Sequence, residues 1–105
     1  MTLAELNLIL QNTGLPVAYL AFPADQAPPM PFIVYQETGS ENFGADNVVW
    51  HSNMRIQIDL LCYRKSRATE ETLETALTEA GIYWEREVIF NDDEQCYRTT
   101  YSIMI

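Results

Sequence analysis

The chain has 105 residues, 48% of them hydrophobic and 20% charged, which predicts one folded domain over residues 1–105 and excludes two. Fifteen acidic residues against six basic ones give a formal net charge of −9 at pH 7, and no Lys or Arg precedes Arg55. Because affinity for nucleic acid and for anionic membranes comes mainly from Lys and Arg, this charge argues against either as a direct ligand.

Apolar runs and cysteine spacing indicate the expected compartment. The longest uninterrupted apolar stretch, 17–22, is far shorter than the roughly 20 residues that span a bilayer, and no basic segment typical of a secretory signal opens the chain. Cys62 and Cys96 lie outside any CxxC or Cys/His pattern, so we expect two free, buried thiols. We therefore expect the chain to stay in the cytoplasm, or in something assembled there.

The N-terminal segment predicts a helix followed by an optional strand. Thr2 and Glu5 form a capping-box pattern ahead of apolar residues at helical spacing, and Gly14 ends this helix. Residues 15–22 form a short apolar stretch that we predict as a possible extra strand. Four prolines in 23–31 exclude both helix and central strand, which predicts an arm or loop there.

The middle of the chain predicts two strands and a second helix. Residues 32–37 are predicted as a strand, 38–47 as a connection because of their Gly, Ser and Asp content, and 53–63 as a strand with one buried face because apolar residues alternate strictly. Ser66 is positioned to cap a helix over 67–80. Gly81 follows as its expected C′ residue, and the acidic side chains of this helix are predicted to point to water: Glu70, Glu71, Glu74 and Glu79.

The last segment predicts a hairpin of strands 83–90 and 95–105 around Asn91-Asp92-Asp93-Glu94. If Asn91 pairs with Glu94, the register places Trp84 opposite Tyr101, Val88 opposite Tyr97, Phe90 opposite Gln95, and Glu87 opposite Arg98 on the other face. Arg86 then falls on the apolar face, so we predict that its charged head lies at a sheet edge or a subunit contact.

These elements predict an α+β fold in which two helices pack on a mostly antiparallel sheet of four to five strands. The predicted order is α-β-β-α-β-β, with the optional strand at 15–22 as the fifth.

The chain offers few groups for catalysis. His51 is the only histidine, and Cys62, its one candidate partner for a dyad, lies on the apolar face of its strand, where a thiol is inert. The acidic run 91–94 lacks the length and spacing of a calcium loop, so a solvated turn is the better interpretation. We expect no enzyme activity, no cofactor and no metal site.

The surface is better suited to association with other proteins than to catalysis. Aromatic residues occur in or beside predicted loops, and an open edge in the hairpin or at 32–37 would offer backbone groups to another copy. The candidate interface residues are Phe22, Met30, Phe43, Asp46, Trp50, His51 and Arg86.

The order of motifs resembles the tail terminator proteins of long-tailed bacteriophages and prophages, also called tail completion or minor capsid proteins. The resemblance runs over nearly the whole chain: an amphipathic helix, TGLPVAYLAF, a proline-rich turn into PFIVYQ, ADN at 45–47 followed by an aromatic residue, MRIQIDLLCYRK, an acidic helix, and the closing CYRTTYSIMI.

The resemblance implies a small α+β protein that forms a ring, expected to be a hexamer, on the head-proximal end of the tail tube. There it would end tube polymerisation and present the surface that joins the head. The implied partners are other copies of the chain, the tail tube protein and the head completion or connector protein. DNA would be cargo passing through an acidic lumen, there would be no membrane partner, and the location would be the head-tail junction of the virion after assembly in the host cytoplasm.

Two alternatives remain open from the sequence. One is a different neck component, such as a head-closure or minor capsid protein that binds the portal side and not the tube. The other, from a different class, is a small cytoplasmic enzyme or ligand-binding module that uses His51 with nearby acids.

Overall fold

The computed structural model describes residues 1–45 and 48–105, and the side chains of residues 1–40 and 53–105. Two helices pack on one face of a five-stranded sheet whose strand order is β1-β2-β3-β5-β4. β1 runs parallel to β2, and the other neighbouring strands are antiparallel. The elements are α1 (Leu3–Gln11), β1 (Val17–Tyr19), β2 (Phe32–Ala45), β3 (Val48–Cys62), α2 (Arg67–Glu79), β4 (Trp84–Asn91) and β5 (Cys96–Met104).

The predicted helix caps at Thr2, Ser66 and Gly81 are confirmed, whereas α1 ends at Gln11, three residues before the predicted end at Gly14. The Thr2 side chain accepts a hydrogen bond from the Glu5 backbone N–H at 3.1 Å, and Ser66 does the same for Thr69 at 3.2 Å. After α2, the N–H of Gly81 bonds the carbonyl of Thr78 and the N–H of Ile82 bonds that of Leu77, which is a Schellman motif. Gly81 supplies the positive φ of 76° that this motif requires.

The core lies between the helices and the sheet. The strict alternation of β3 places Ile56, Ile58 and Leu60 in this core, where they are fully or almost fully buried. The other face of β3 carries Gln57 and Asp59, and the Asp59 carboxylate accepts hydrogen bonds from Gln57 on its own strand and Thr100 on β5. One sheet face is therefore covered by helices and the other is largely polar and open.

The predicted extra strand exists, and it corrects the prediction of an open edge at 32–37. Only Val17–Tyr19 forms the strand, but it pairs with Ile33–Tyr35 in parallel, so β2 is bordered on both sides there. β1 and β4 are the edges of the sheet. No helix among the described residues has the length and apolarity needed to cross a membrane.

The predicted connection 38–47 is wrong, because most of it belongs to a long ribbon. β2 continues to Ala45 and β3 begins at Val48, and the two pair to their ends with register shifts between Glu37 and Gly39 and between Phe43 and Gly44. The Gly and Ser residues of 38–45 are typical of a loop, so their composition does not reveal the strand that the backbone pairing with β3 forms.

The hairpin register is also corrected, by two residues. Asn91 pairs with Cys96 and not with Glu94, because the Asn91 side chain accepts hydrogen bonds from the N–H groups of Asp93 and Glu94 and closes a four-residue loop. Gln95 ends that loop with a positive φ of 51°.

An even shift leaves every side chain on its predicted face, although its direct partner changes. Trp84 therefore still contacts Tyr101, with ring centroids 5.6 Å apart, although Tyr101 lies directly opposite Arg86. Glu87 lies opposite Thr100 and not Arg98. On the apolar face, Val88 is opposite Thr99 and Phe90 is opposite Tyr97.

The α2 cap gives a direct stability test. Ser66→Ala removes the oxygen that satisfies the Thr69 N–H, so we expect the free energy of unfolding to fall by about 1 kcal/mol. Urea unfolding followed by circular dichroism measures this change. Ser102→Ala, an exposed serine in β5, is the matched control and should shift stability by less than about 0.5 kcal/mol. Equal effects of the two substitutions would contradict the capping role.

Candidate assembly surface

A group of buried charges joins helix α2 to the edge of the sheet. Glu70 and Glu74 are only 2% and 7% exposed, which corrects the prediction that both point to water. They lie one turn apart on the side of α2 that faces β5, whereas Glu71 and Glu79 are exposed as predicted. Burial of two carboxylates is costly unless each is paired and hydrogen-bonded.

Each carboxylate has several donors. Glu70 is bound by Lys65, by Arg67 at 2.6 Å and by the Thr99 hydroxyl at 3.2 Å. Glu74 is bound by the hydroxyl of the fully buried Tyr101 at 2.7 Å. Its other donors are cationic: Arg67 at 3.2 Å and Arg86 at 2.7 Å.

Hydrogen bonding decides the direction in which the pKa values of Glu70 and Glu74 are shifted. Burial alone raises the pKa of Glu74, but the bonds from Tyr101, Arg67 and Arg86 outweigh it, so the pKa lies below its ordinary value. The same balance, with Lys65 and Arg67 as the main donors, lowers the pKa of Glu70. Both groups therefore stay ionised at neutral pH.

The structure explains why the charged residue Arg86 lies on the apolar face of its strand. Arg86 extends from the edge strand β4 on the helix side of the sheet and bonds Glu74 within the same chain, with about a third of its side chain exposed. The predicted apolar face was right, and the charge is accommodated because α2 supplies a carboxylate there. A lone base on an apolar strand face is itself a signal that a carboxylate lies within reach, and Glu70 and Glu74 were the available pair.

The outer edge of β4 is open and apolar at its far end. Three successive residues, Val88, Ile89 and Phe90, are 40%, 38% and 44% exposed. Phe90 packs edge-on against Tyr97, with ring centroids 4.9 Å apart, and the rest of its ring faces solvent. Sequence reasoning missed this patch, because alternation predicted that Val88 and Phe90 would be covered.

The predicted interface residues do not form one cluster among the described side chains. Phe22 is half-buried and packs against Phe32, with ring centroids 5.1 Å apart, on the β1 and β2 side of the sheet. Met30, just before Pro31, is also half-buried. Arg86 lies at the opposite edge.

Four predicted interface residues remain to be placed. The side chains of Phe43, Trp50 and His51 and the whole of Asp46 lie outside the described part of the structure. The backbones of Phe43 and His51 pair with each other in the ribbon of β2 and β3. Their interface role stays a prediction.

The cysteines and the acidic run 91–94, which the sequence offered as candidates for catalysis or metal binding, lie in positions that serve the fold. Cys62 and Cys96 are both free and buried, as predicted, and burial raises the pKa of each thiol. Within the described residues, no group of three or more His, Cys, Asp or Glu side chains is arranged to hold a metal ion. Residues 91–94 form the turn of the hairpin, which the Asn91 side chain organises.

Comparisons with known proteins bear on the fold. No protein-family model matches the chain, and a search of curated proteins returns no significant relative. Among solved structures, the chain is similar to a component of the "Virion of native gene transfer agent (GTA) particle", with a TM-score of 0.64 at 11% identity. The match covers 91% of this chain and 81% of the other, so the two share one α+β fold over most of each chain.

The Glu74 carboxylate should matter for stability. We expect Glu74→Gln to lower the free energy of unfolding by about 1–3 kcal/mol, because the charge-assisted bonds to Arg67 and Arg86 weaken while Tyr101 stays buried beside a poorer acceptor. Chemical denaturation measures the loss. Glu71→Gln, an exposed glutamate 3.7 Å from Arg67, is the control and should change stability by less than about 0.5 kcal/mol.

Acid should weaken the protein through the same carboxylates. The pKa values of Glu70 and Glu74 in the folded state lie below the unfolded value of about 4.3. Their contribution to the free energy of unfolding is therefore complete above roughly pH 5 and is lost as the pH falls through the lowered folded values. We expect the urea midpoint to be level from pH 7 to 5 and to fall below pH 4.5. Glu74→Gln should flatten this fall, and an unchanged slope in that variant would refute the assignment.

Proposed function

We propose that the chain is a virion structural protein of a phage-like particle, and specifically the tail terminator that forms a ring on the head-proximal end of the tail tube. The observation that carries the proposal is the fold match to a virion component over 91% of this chain. The succession of motifs along the sequence supports it independently, since it resembles tail terminators from the first helix to the closing hairpin.

The surface fits an assembly role better than a catalytic one. An open β4 edge with three exposed apolar residues offers backbone groups and apolar area to another protein. The thiols are buried with raised pKa values, which suits a packing role and not a nucleophilic one.

The net charge of −9 supports the passage of DNA as cargo. An acidic channel repels phosphate and does not retain it, whereas a basic one would bind the backbone. In this proposal the base-free part of the chain before Arg55, which includes α1, β1 and β2, supplies acidic surface to the lumen of the ring. The partners would be other copies, the tail tube protein on one side and the head connector on the other.

Tube assembly tests the proposal. The tail tube protein of the same particle is polymerised with and without the chain, and tube lengths and ends are measured by negative-stain electron microscopy. We expect shorter, more uniform tubes with added density at one end, because a bound ring blocks further subunit addition. An unrelated protein of similar net charge controls for nonspecific effects.

Two results would contradict this assignment. Unchanged tube lengths with no bound chain would exclude a terminator. Capture of the chain by the portal-side ring, but not by tubes, would support a head-closure protein in its place.

A further inference from the structure

The far half of the β4 edge, residues 88–91, lacks the features that keep sheet edges from pairing. Monomeric proteins protect such edges with charged side chains, Pro or bulges, and β4 (WEREVIFN) carries its charges only in its first half and contains no Pro. Its register with β5 is regular from Trp84 to Asn91. The exposed apolar residues 88–90 therefore sit on a straight edge, about 27 Å long for eight residues, that is able to accept another strand.

The chain also carries a segment suited to occupy such an edge. We call residues 41–45 of β2 and 48–53 of β3 the arm. In the described register the arm strands pair only with each other, since β1 reaches no further than Tyr35 and the C-terminal residue Ile105 bonds Met54. A two-stranded ribbon is marginally stable alone, and each arm strand leaves one edge unpaired. At about 20 Å for six residues, an arm strand fits within the length of β4.

The arm and the apolar part of β4 lie at opposite ends of one sheet. The arm leaves the sheet where Arg55 pairs with Met104, whereas residues 88–90 pair with 97–99, which border Leu60–Cys62 at the other end. One chain therefore cannot bring its own arm to its own patch. A contact between them joins different surfaces of two copies, and such head-to-tail contacts build rings or filaments.

The charges beside the patch are mixed. Arg98 lies opposite Ile89 on β5, is exposed, and forms no ion pair with any described residue. Glu87 and the turn residues 92–94 border the same patch and are acidic. The arm sequence contains Glu41 and no Lys or Arg, so Glu41 is a partner for Arg98 alone, and the contact depends on backbone pairing and apolar area.

We propose that the arm of one copy pairs with the β4 edge of the next copy and continues its sheet. This inference rests on the proposed function, because only a ring requires the head-to-tail series of copies to close. It adds the two surfaces that form each contact between neighbouring copies.

Cross-linking of mixed single-cysteine variants tests the contact. Glu87→Cys marks the edge and Ser52→Cys marks the arm, and the two full-length proteins are mixed and treated with a short bismaleimide. We expect a cross-linked dimer in the mixture and far less in either variant alone. The parental chain should not cross-link, because Cys62 and Cys96 are buried. Dimers formed by Glu87→Cys alone, or no dimer in the mixture, would overturn the proposal.

A charge placed on the edge gives a second measurement. We expect light scattering to detect an oligomer of the parental chain, and we expect Val88→Lys and Phe90→Lys to lose this oligomer while keeping the parental circular dichroism spectrum; a monomeric parental chain would also overturn the contact. Leu8→Lys, an equally drastic change at a residue of α1 that is 60% exposed, is the matched control and should keep the oligomer. Retention of the oligomer in both edge variants would overturn the contact.

The two proposals fail separately. Capped tubes without the arm-to-edge cross-link would leave the terminator function standing and refute this contact. A cross-linked oligomer that leaves tube length unchanged would support the contact and refute the terminator.

Discussion

The bonds from Arg86 and Tyr101 to the buried Glu74 carboxylate hold the edge strand, its neighbour and the second helix together. Without Glu74, a buried phenol and a partly buried guanidinium would lose their acceptor on the helix side of the sheet. With it, β4 is tied to α2 as well as to β5, and its outer edge stays open.

Local signals in the sequence predicted much of the fold. Thr2, Ser66 and Gly81 mark helix ends through backbone groups only a few residues away, so the capping predictions are confirmed. The alternation of 53–63 is confirmed for the same reason, since the buried face of a strand repeats every second residue. Both thiols are free and buried as expected.

The failures come from interactions that a local pattern does not contain. Glu70 and Glu74 have the spacing of a solvated helix face, and only the position of Arg86 and Tyr101 on distant strands makes them interior residues. The hairpin register depended on the Asn91 side chain, which closes a longer loop than the shortest turn. The strand over residues 38–45 contains Gly and Ser residues typical of a loop, and its backbone pairing with β3 is not contained in that local composition.

The molecule has an inward half, where α1 and α2 cover the sheet, and two outward features that a single copy leaves unused, the arm and the β4 edge. We propose that copies join head to tail through these features into a ring. Electron microscopy of the purified chain, at concentrations where it associates, distinguishes a ring from other assemblies. We expect closed rings with a central opening wide enough for duplex DNA, whereas two-fold dimers or persistent monomers would refute the ring.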